Sequence, residues 1–303
     1  MSAQALIGRG SQQTGEYQAA LDAFGDLLVR AEQLKDLDHI AFAHEGLGTV
    51  RLLQERYPEA LDELQKSLVT NESKSDQLGV GFATSNCGSA LWRLGRYQEA
   101  EQMFERSLAI ARSPKGYKNM LLEVQTNRLE DALSRRDFSS VSNTAAQVLA
   151  LAENDLALLT RAKRASALAK LSAGKGSEAK KLCDEAVAKA IDLGDPALLY
   201  SARLTLAEVL LETQDASKAL EIVRADSNHF VSKDQQESLW RANVIAGRAS
   251  QQLGDESNAR SYARQARETL TRIERAWGPE VFQKYQERPD VSFLLGHLKK
   301  LPE

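Results

Sequence analysis

The chain has 303 residues, 43% of them hydrophobic and 27% charged, and 39 Lys+Arg against 42 Asp+Glu give a formal charge of -3. This is an ordinary water-facing composition with enough apolar residues for a large buried area, and it lacks the basic excess that a phosphate backbone demands, which sets nucleic acid aside as a direct ligand. No apolar run approaches the roughly 18 residues of a membrane span and no charged-then-apolar leader opens the sequence, so a cytoplasmic location without membrane contact is expected.

Small residues recur along the chain at a nearly fixed offset: Ala20, Ala60, Ala100, Val141, Ala179, Ala219 and Ala259, in steps of 40, 40, 41, 38, 40 and 40. A period of this length marks a solenoid, whose units bury their apolar faces only by stacking on neighbours. One elongated domain is therefore expected rather than the two that length alone suggests. The first unit (1–36) carries Gly8, Gly15, Tyr17, Ala20, Phe24 and Leu28, and the second (37–77) carries Leu47, Gly48, Tyr57, Ala60, Leu64 and Leu68. The third (78–116) shows the pattern most fully. Gly88 falls where two helices approach closely, Leu91 and Leu94 continue an apolar face, and Gly95-Arg96-Tyr97 makes a break. Ala100, Phe104 and Leu108 then follow at steps of four, on one helical stripe. Glycine at 95 fits the left-handed backbone that ends a helix. The spacing predicts two antiparallel helices joined by a short turn.

Units four to six (117–154, 155–195, 196–232) are degenerate, with Leu129 and Val141, Ala167 and Gly176, and Ala207 and Ala216 at the key places. Unit seven (233–276) returns to pattern with Gly247, Gly254, Ala259, Ala263 and Ala266. Lys35-Asp36-Leu37-Asp38 and Leu193-Gly194-Asp195-Pro196 read as turns between units, with Asp capping the next helix. The stretch from Ala225 to Ser232 breaks the periodicity and reads as a longer loop. Beyond Trp277, Pro279 and Arg288-Pro289-Asp290 start two short helices. Residues 277–303 are expected to cap the last apolar face, with Trp277, Phe282, Tyr285, Phe293 and Leu294 as the cap's core. Cys87 and Cys183 are far apart and sit at interior positions, as small core hydrophobes rather than a disulfide or metal pair.

These residues resemble the tetratricopeptide repeat family. Its small residues at the eighth and twentieth positions and its aromatic near the seventeenth are matched in units one to three; its small twenty-seventh residue appears as Ser67 and Ser107, while unit one has Leu27. The usual period is 34 residues, so the chain resembles the long-repeat subclass of about 40 residues found in kinesin light chains, polarity adaptors and bacterial signalling proteins. The resemblance implies an all-α fold: a right-handed superhelical solenoid of seven antiparallel helix pairs with a C-terminal helical cap. The abrupt opening at Met1-Ser2-Ala3 suggests a fragment of a larger bacterial signalling protein with an effector or sensor domain upstream.

Catalytic constellations are not recognisable. His39 and His44 are five residues apart, about 140° around a helix, whereas a metal pair wants a spacing of four. His229 and His297 stand alone, and no third ligand is marked. Ser172-Ala173-Gly174-Lys175-Gly176-Ser177 has neither the spacing nor the preceding strand of a phosphate-cradling loop. The basic cluster Arg161, Lys163 and Arg164 reads as a solvated stripe. No enzyme activity, cofactor or metal is expected.

In the family, the first helices of the pairs line a concave groove, and asparagines at their sixth position hold a peptide's main chain. That position falls on Leu6, Gly46, Asn86, Asn127, Ala165, Thr205 and Ile245, so two consecutive rungs keep asparagine. An amide can donate to a peptide carbonyl and accept from its N–H at once; the residues alone equally allow two exposed polar side chains. Arg9, Gln12, Gln13, Thr49, Ser89, Arg93, Glu130, Arg164, Glu208 and Arg248 are nearby positions of mixed charge. The lysine-and-asparagine clamp for a C-terminal carboxylate is not reproduced, and Trp92 falls either on the groove lip or inside its helix pair. The expected partner contacts are Asn86, Ser89, Arg93, Asn127, Glu130, Arg164, Thr49 and Arg9. The expected function is a non-enzymatic adaptor that binds a peptide or protein segment in the groove. The alternative is a regulatory or oligomerisation scaffold whose partner is an upstream domain of the same protein. The sequence leaves the oligomeric state open.

Overall fold

The computed structural model describes residues 3–303, which form sixteen α-helices; among the described residues there is no strand. Packing divides the chain into two compact units, residues 1–131 and 132–303. The first holds α1 (Ala3–Gln13), α2 (Tyr17–Leu34), α3 (Leu37–Leu53), α4 (Tyr57–Ser73), α5 (Gln77–Arg93), α6 (Tyr97–Ala111) and most of α7 (Lys118–Ser134). The second holds the end of α7, α8 (Phe138–Leu151), α9 (Leu156–Ser172), α10 (Gly176–Leu193), α11 (Pro196–Glu212), α12 (Ala216–Ser232), α13 (Gln236–Gln252), α14 (Glu256–Trp277), α15 (Pro279–Gln286) and α16 (Pro289–Leu298).

Left-handed backbone punctuates the helices at the period of the sequence. Inside the pairs it falls on Gly15, Glu55, Gly95, Arg136, Gly174, Gln214 and Gly254, and between pairs on Lys35, Ser75, Gly116, Glu153, Gly194 and Asp234. At Gly95 (φ 78°) the amide donates to the Trp92 carbonyl at 2.9 Å and the Arg96 amide to the Leu91 carbonyl at 2.9 Å. These two bonds satisfy carbonyls that the end of α5 would otherwise orphan. The next helix begins two residues later. Between pairs, aspartates do the capping: Asp36 accepts from the amides of Asp38 and His39, Asp76 from Gly79, and Asp195 from Leu198. The longer period lies in the helices, since α3, α5, α7, α9, α11 and α13 each have 17 residues.

The seven small residues that set the period, from Ala20 to Ala259, are all fully buried. In the first unit each sits where a second helix crosses its predecessor, and the large side chain four residues on fills the remaining gap. A Cβ built on Gly88 would lie 2.6 Å from Phe104 Cε1, so glycine there is what lets the Phe104 ring lie flat against α5. Full burial of such a ring contributes about 1.5–3 kcal/mol. The small residues near the end of the second helices have a polar use: Ser67 Oγ donates to the Ala41 carbonyl at 2.9 Å, and Ser107 Oγ to the Gly81 carbonyl at 2.8 Å.

In the second unit one expectation is corrected. Residues 225–232 are not a loop but the last half of α12. Val223, Asp226 and Phe230 are buried at helical spacing, and the polar look of Ala225-Asp226-Ser227-Asn228 hides an inward carboxylate. Arg203 Nε donates to both oxygens of Asp226 at 3.0 and 2.8 Å, while the His229 ring stacks on Tyr200 at 3.6 Å. Burial holds His229 down at about 4, so it stays neutral in that stack.

The chain's last helices share one core with α13 and α14: Trp240, Val244, Ala266, Ile273, Phe282, Tyr285, Val291, Leu294 and Leu298. Trp240 Nε1 donates to Tyr285 Oη at 2.8 Å inside it. Around its edge Arg241 reaches Asp290 at 2.5 Å and Glu237 at 2.7 Å, and Arg288 reaches Asp290 at 2.8 Å and Glu237 at 3.1 Å. Two arginines against two carboxylates leave no uncompensated charge. Trp277 and Phe293 are half-buried and pack against this core, with the Arg136 guanidinium 3.7 Å from the Phe293 ring centroid.

Candidate functional site

The first helices α1, α3 and α5 lie beside one another in the first unit, and the expected contacts of that unit are carried on them and on α7. Three of those contacts come together. Asn127 Nδ2 donates to Ser85 Oγ at 3.0 Å, and Ser89 Oγ donates to Asn127 Oδ1 at 3.5 Å. Arg93 then donates to Ser89 Oγ at 2.5 Å and to the Ser89 carbonyl at 2.8 Å. Its guanidinium lies 4.2 Å from the Trp92 ring centroid and 5.9 Å from that of Tyr57. Trp92 is buried, which puts it inside the helix pair. Asn127 is only 8% exposed, and both ends of its amide are used by α5.

The rung one repeat earlier has different chemistry. By the repeat steps of 40 and 41, Glu45, Thr49 and Asn86 correspond to Ser85, Ser89 and Asn127. All three are half-buried. Thr49 Oγ1 turns back to the Gly46 carbonyl at 3.0 Å. Among the described residues no hydrogen bond or ion pair engages the Asn86 amide or the Glu45 carboxylate. Burial pushes the Glu45 carboxyl above its ordinary value, and the field of Arg9 offsets this in part. Arg9 is exposed and lies 4.5 Å from the Phe42 ring centroid.

The remaining expected positions are scattered in character. Glu130 is buried and Leu6 exposed, while Gly46, Ala165, Thr205 and Ile245 are buried and give no free surface. In the second unit Arg164 is half-buried, Arg248 donates to Glu212 at 2.7 Å, and burial pushes the Glu208 carboxyl above its ordinary value. Sequence reasoning did not single out Ser85 or Glu45. The available signal was the pairing of sixth-position residues with the preceding position one repeat back, which becomes visible only once the amide of Asn127 is seen to use it.

The thiols of Cys87 and Cys183 are free, buried and pushed up to about 12, and so unreactive. His44 lies 2.7 Å from Glu63 across α3 and α4, and His39 lies 2.8 Å from its cap Asp36. Among the described residues no three His, Cys, Asp or Glu side chains are grouped to hold a metal. Among the described residues no helix is long and apolar enough to cross a membrane.

Residues 43–113 match the family model for the tetratricopeptide repeat. No curated protein sequence matches the chain. Among solved structures, NprR in complex with its cognate peptide NprX is similar at 14% identity, covering 95% of this chain and 86% of that one, with a TM-score of 0.65. A Rap protein complexed with competence and sporulation factor is similar at 12% identity over 98% of this chain and 96% of that one, with a TM-score of 0.64. The apo form of the quorum sensor NprR from B. thuringiensis is similar at 15% identity, covering 88% and 86%, with a TM-score of 0.56. Residues 43–113 thus carry the tetratricopeptide repeat, and the chain as a whole has the helical-repeat fold of these neighbours.

Proposed function

We propose that this chain is a non-enzymatic binding module that takes a peptide or an extended protein segment along the first helices of its first unit. The observation that carries this reading is the contrast between two equivalent rungs: Asn127 is satisfied within the fold, whereas the half-buried amide of Asn86 has no partner among the described residues. An amide in that state offers a peptide bond both a donor and an acceptor, and forming those bonds removes the cost of leaving polar atoms half-desolvated. Of the neighbours of similar fold, NprR is in complex with its cognate peptide and a Rap protein with competence and sporulation factor, which supports the same use.

Under this reading the expected contacts divide by role. Asn86 touches the ligand; Asn127, Ser89 and Arg93 hold α5 and α7 in the register that presents it. Panning a display library of random heptapeptides against the purified chain tests the proposal. It predicts an enriched consensus whose affinity falls about tenfold or more in Asn86→Ala, the loss of one or two well-formed hydrogen bonds. A consensus bound equally by wild type and Asn86→Ala overturns it.

A further inference from the structure

The Glu45 carboxylate is the unusual member of the open rung. Its counterpart one repeat on is Ser85, a hydroxyl that closes on Asn127; here the repeat places an acid, and the neighbouring Asn86 does not close on it. A half-buried carboxylate is costly unless a donor meets it. Arg9, whose charge acts on Glu45, has its guanidinium over the Phe42 ring, and no ion pair joins it to Glu45 among the described residues. By contrast Glu63 on the next helix is met by His44 at 2.7 Å and Lys66 at 3.2 Å. By the repeat, the open rung therefore offers a charged acceptor on α3 and a two-way amide on α5, at the positions that Ser85 and Asn127 occupy one repeat on.

We infer that the Glu45–Asn86 rung binds a peptide carrying a cationic group, a lysine or arginine side chain or a free amino terminus, with Glu45 receiving the charge and Asn86 holding the adjoining peptide bond. This rests on the proposed peptide-binding role and adds the sign of the ligand's charge. A cation placed at Glu45 makes charge-assisted hydrogen bonds, stronger than neutral ones. An acidic segment at the same place meets the carboxylate and is excluded by repulsion.

The heptapeptide selection distinguishes the two levels of the argument. The inference expects every enriched family to share one basic residue or to require an unacetylated amino terminus. Replacing that group with a neutral one, or making Glu45→Gln, weakens binding about tenfold, and doing both weakens it little further. Glu45→Gln keeps shape, and its circular dichroism spectrum confirms folding. Enriched peptides that lack a common cation, or that bind Glu45→Gln as tightly as wild type, overturn the inference and leave peptide binding standing. A selection that enriches nothing overturns the peptide-binding reading and the inference with it.

Discussion

Asn127 Nδ2 lies 3.0 Å from Ser85 Oγ, joining α7 to α5 through a hydrogen bond between residues 42 positions apart. The bond spans one repeat, and its partner on the other side of the amide, Ser89, is itself held by Arg93. Both ends of the Asn127 amide are thus engaged within the fold. Asn127→Ala is therefore expected to lower stability by about 1–3 kcal/mol, because it strips Ser85 and Ser89 of a buried partner. Urea unfolding followed by far-ultraviolet circular dichroism measures the loss. Asn86→Ala in the same experiment changes stability by less than about 0.5 kcal/mol, having no internal bond to break.

Glu45 gives a prediction with a pH signature. Burial raises its folded-state pKa above the unfolded value, so the folded chain holds its proton to higher pH and ionisation costs stability. Glu45→Gln removes that cost. The variant should unfold at higher urea than wild type at pH 7.5, and the two should converge as pH falls below the ordinary carboxylate range, where Glu45 is protonated in both states. A gap that widens toward acid contradicts the assignment.

The left-handed turn positions predict which substitutions stabilise. Glu55 (φ 62°) and Gln214 (φ 66°) stand where Gly15, Gly95, Gly174 and Gly254 stand in other repeats. A side chain in this region strains the backbone, so Glu55→Gly and Gln214→Gly should each gain about 0.5–1 kcal/mol, net of the added freedom of the unfolded chain. Arg136 (φ 55°) occupies the same position but lies over the Phe293 ring, an interaction of about 0.5–2 kcal/mol. Arg136→Gly should show no gain. Urea midpoints of the three variants make the comparison.

Within the C-terminal core, Tyr285→Phe leaves the Trp240 indole N–H without its acceptor in a fully buried site. The expected cost is about 1–3 kcal/mol. Intrinsic tryptophan fluorescence during urea unfolding reads it directly, and an unchanged midpoint would show that the bond contributes nothing.

The helix pairs were legible in the sequence because their determinants are local. Ala20, Ala60 and Ala100 repeat with their large partners four residues on, and glycine or aspartate marks many of the turns. The end helices were legible from Pro279 and Pro289. Residues 225–232 were misread because Asp226 looks like a loop residue until Arg203, on the preceding helix, supplies its charge partner. The candidate site was legible only as a set of positions. Which asparagine is spent inside the fold depends on whether the residue one repeat back is Ser85 or Glu45, a contact across about 40 residues that a position-by-position reading does not register.

The most direct test of the account is titration calorimetry of one selected peptide against wild type, Asn86→Ala and a folded Asn127 variant such as Asn127→Ser. The account predicts that Asn86→Ala weakens binding about tenfold or more, while Asn127→Ser, its fold intact by circular dichroism, binds within about twofold of wild type, below 0.5 kcal/mol. Binding that survives in Asn86→Ala and is lost in the folded Asn127 variant would contradict it.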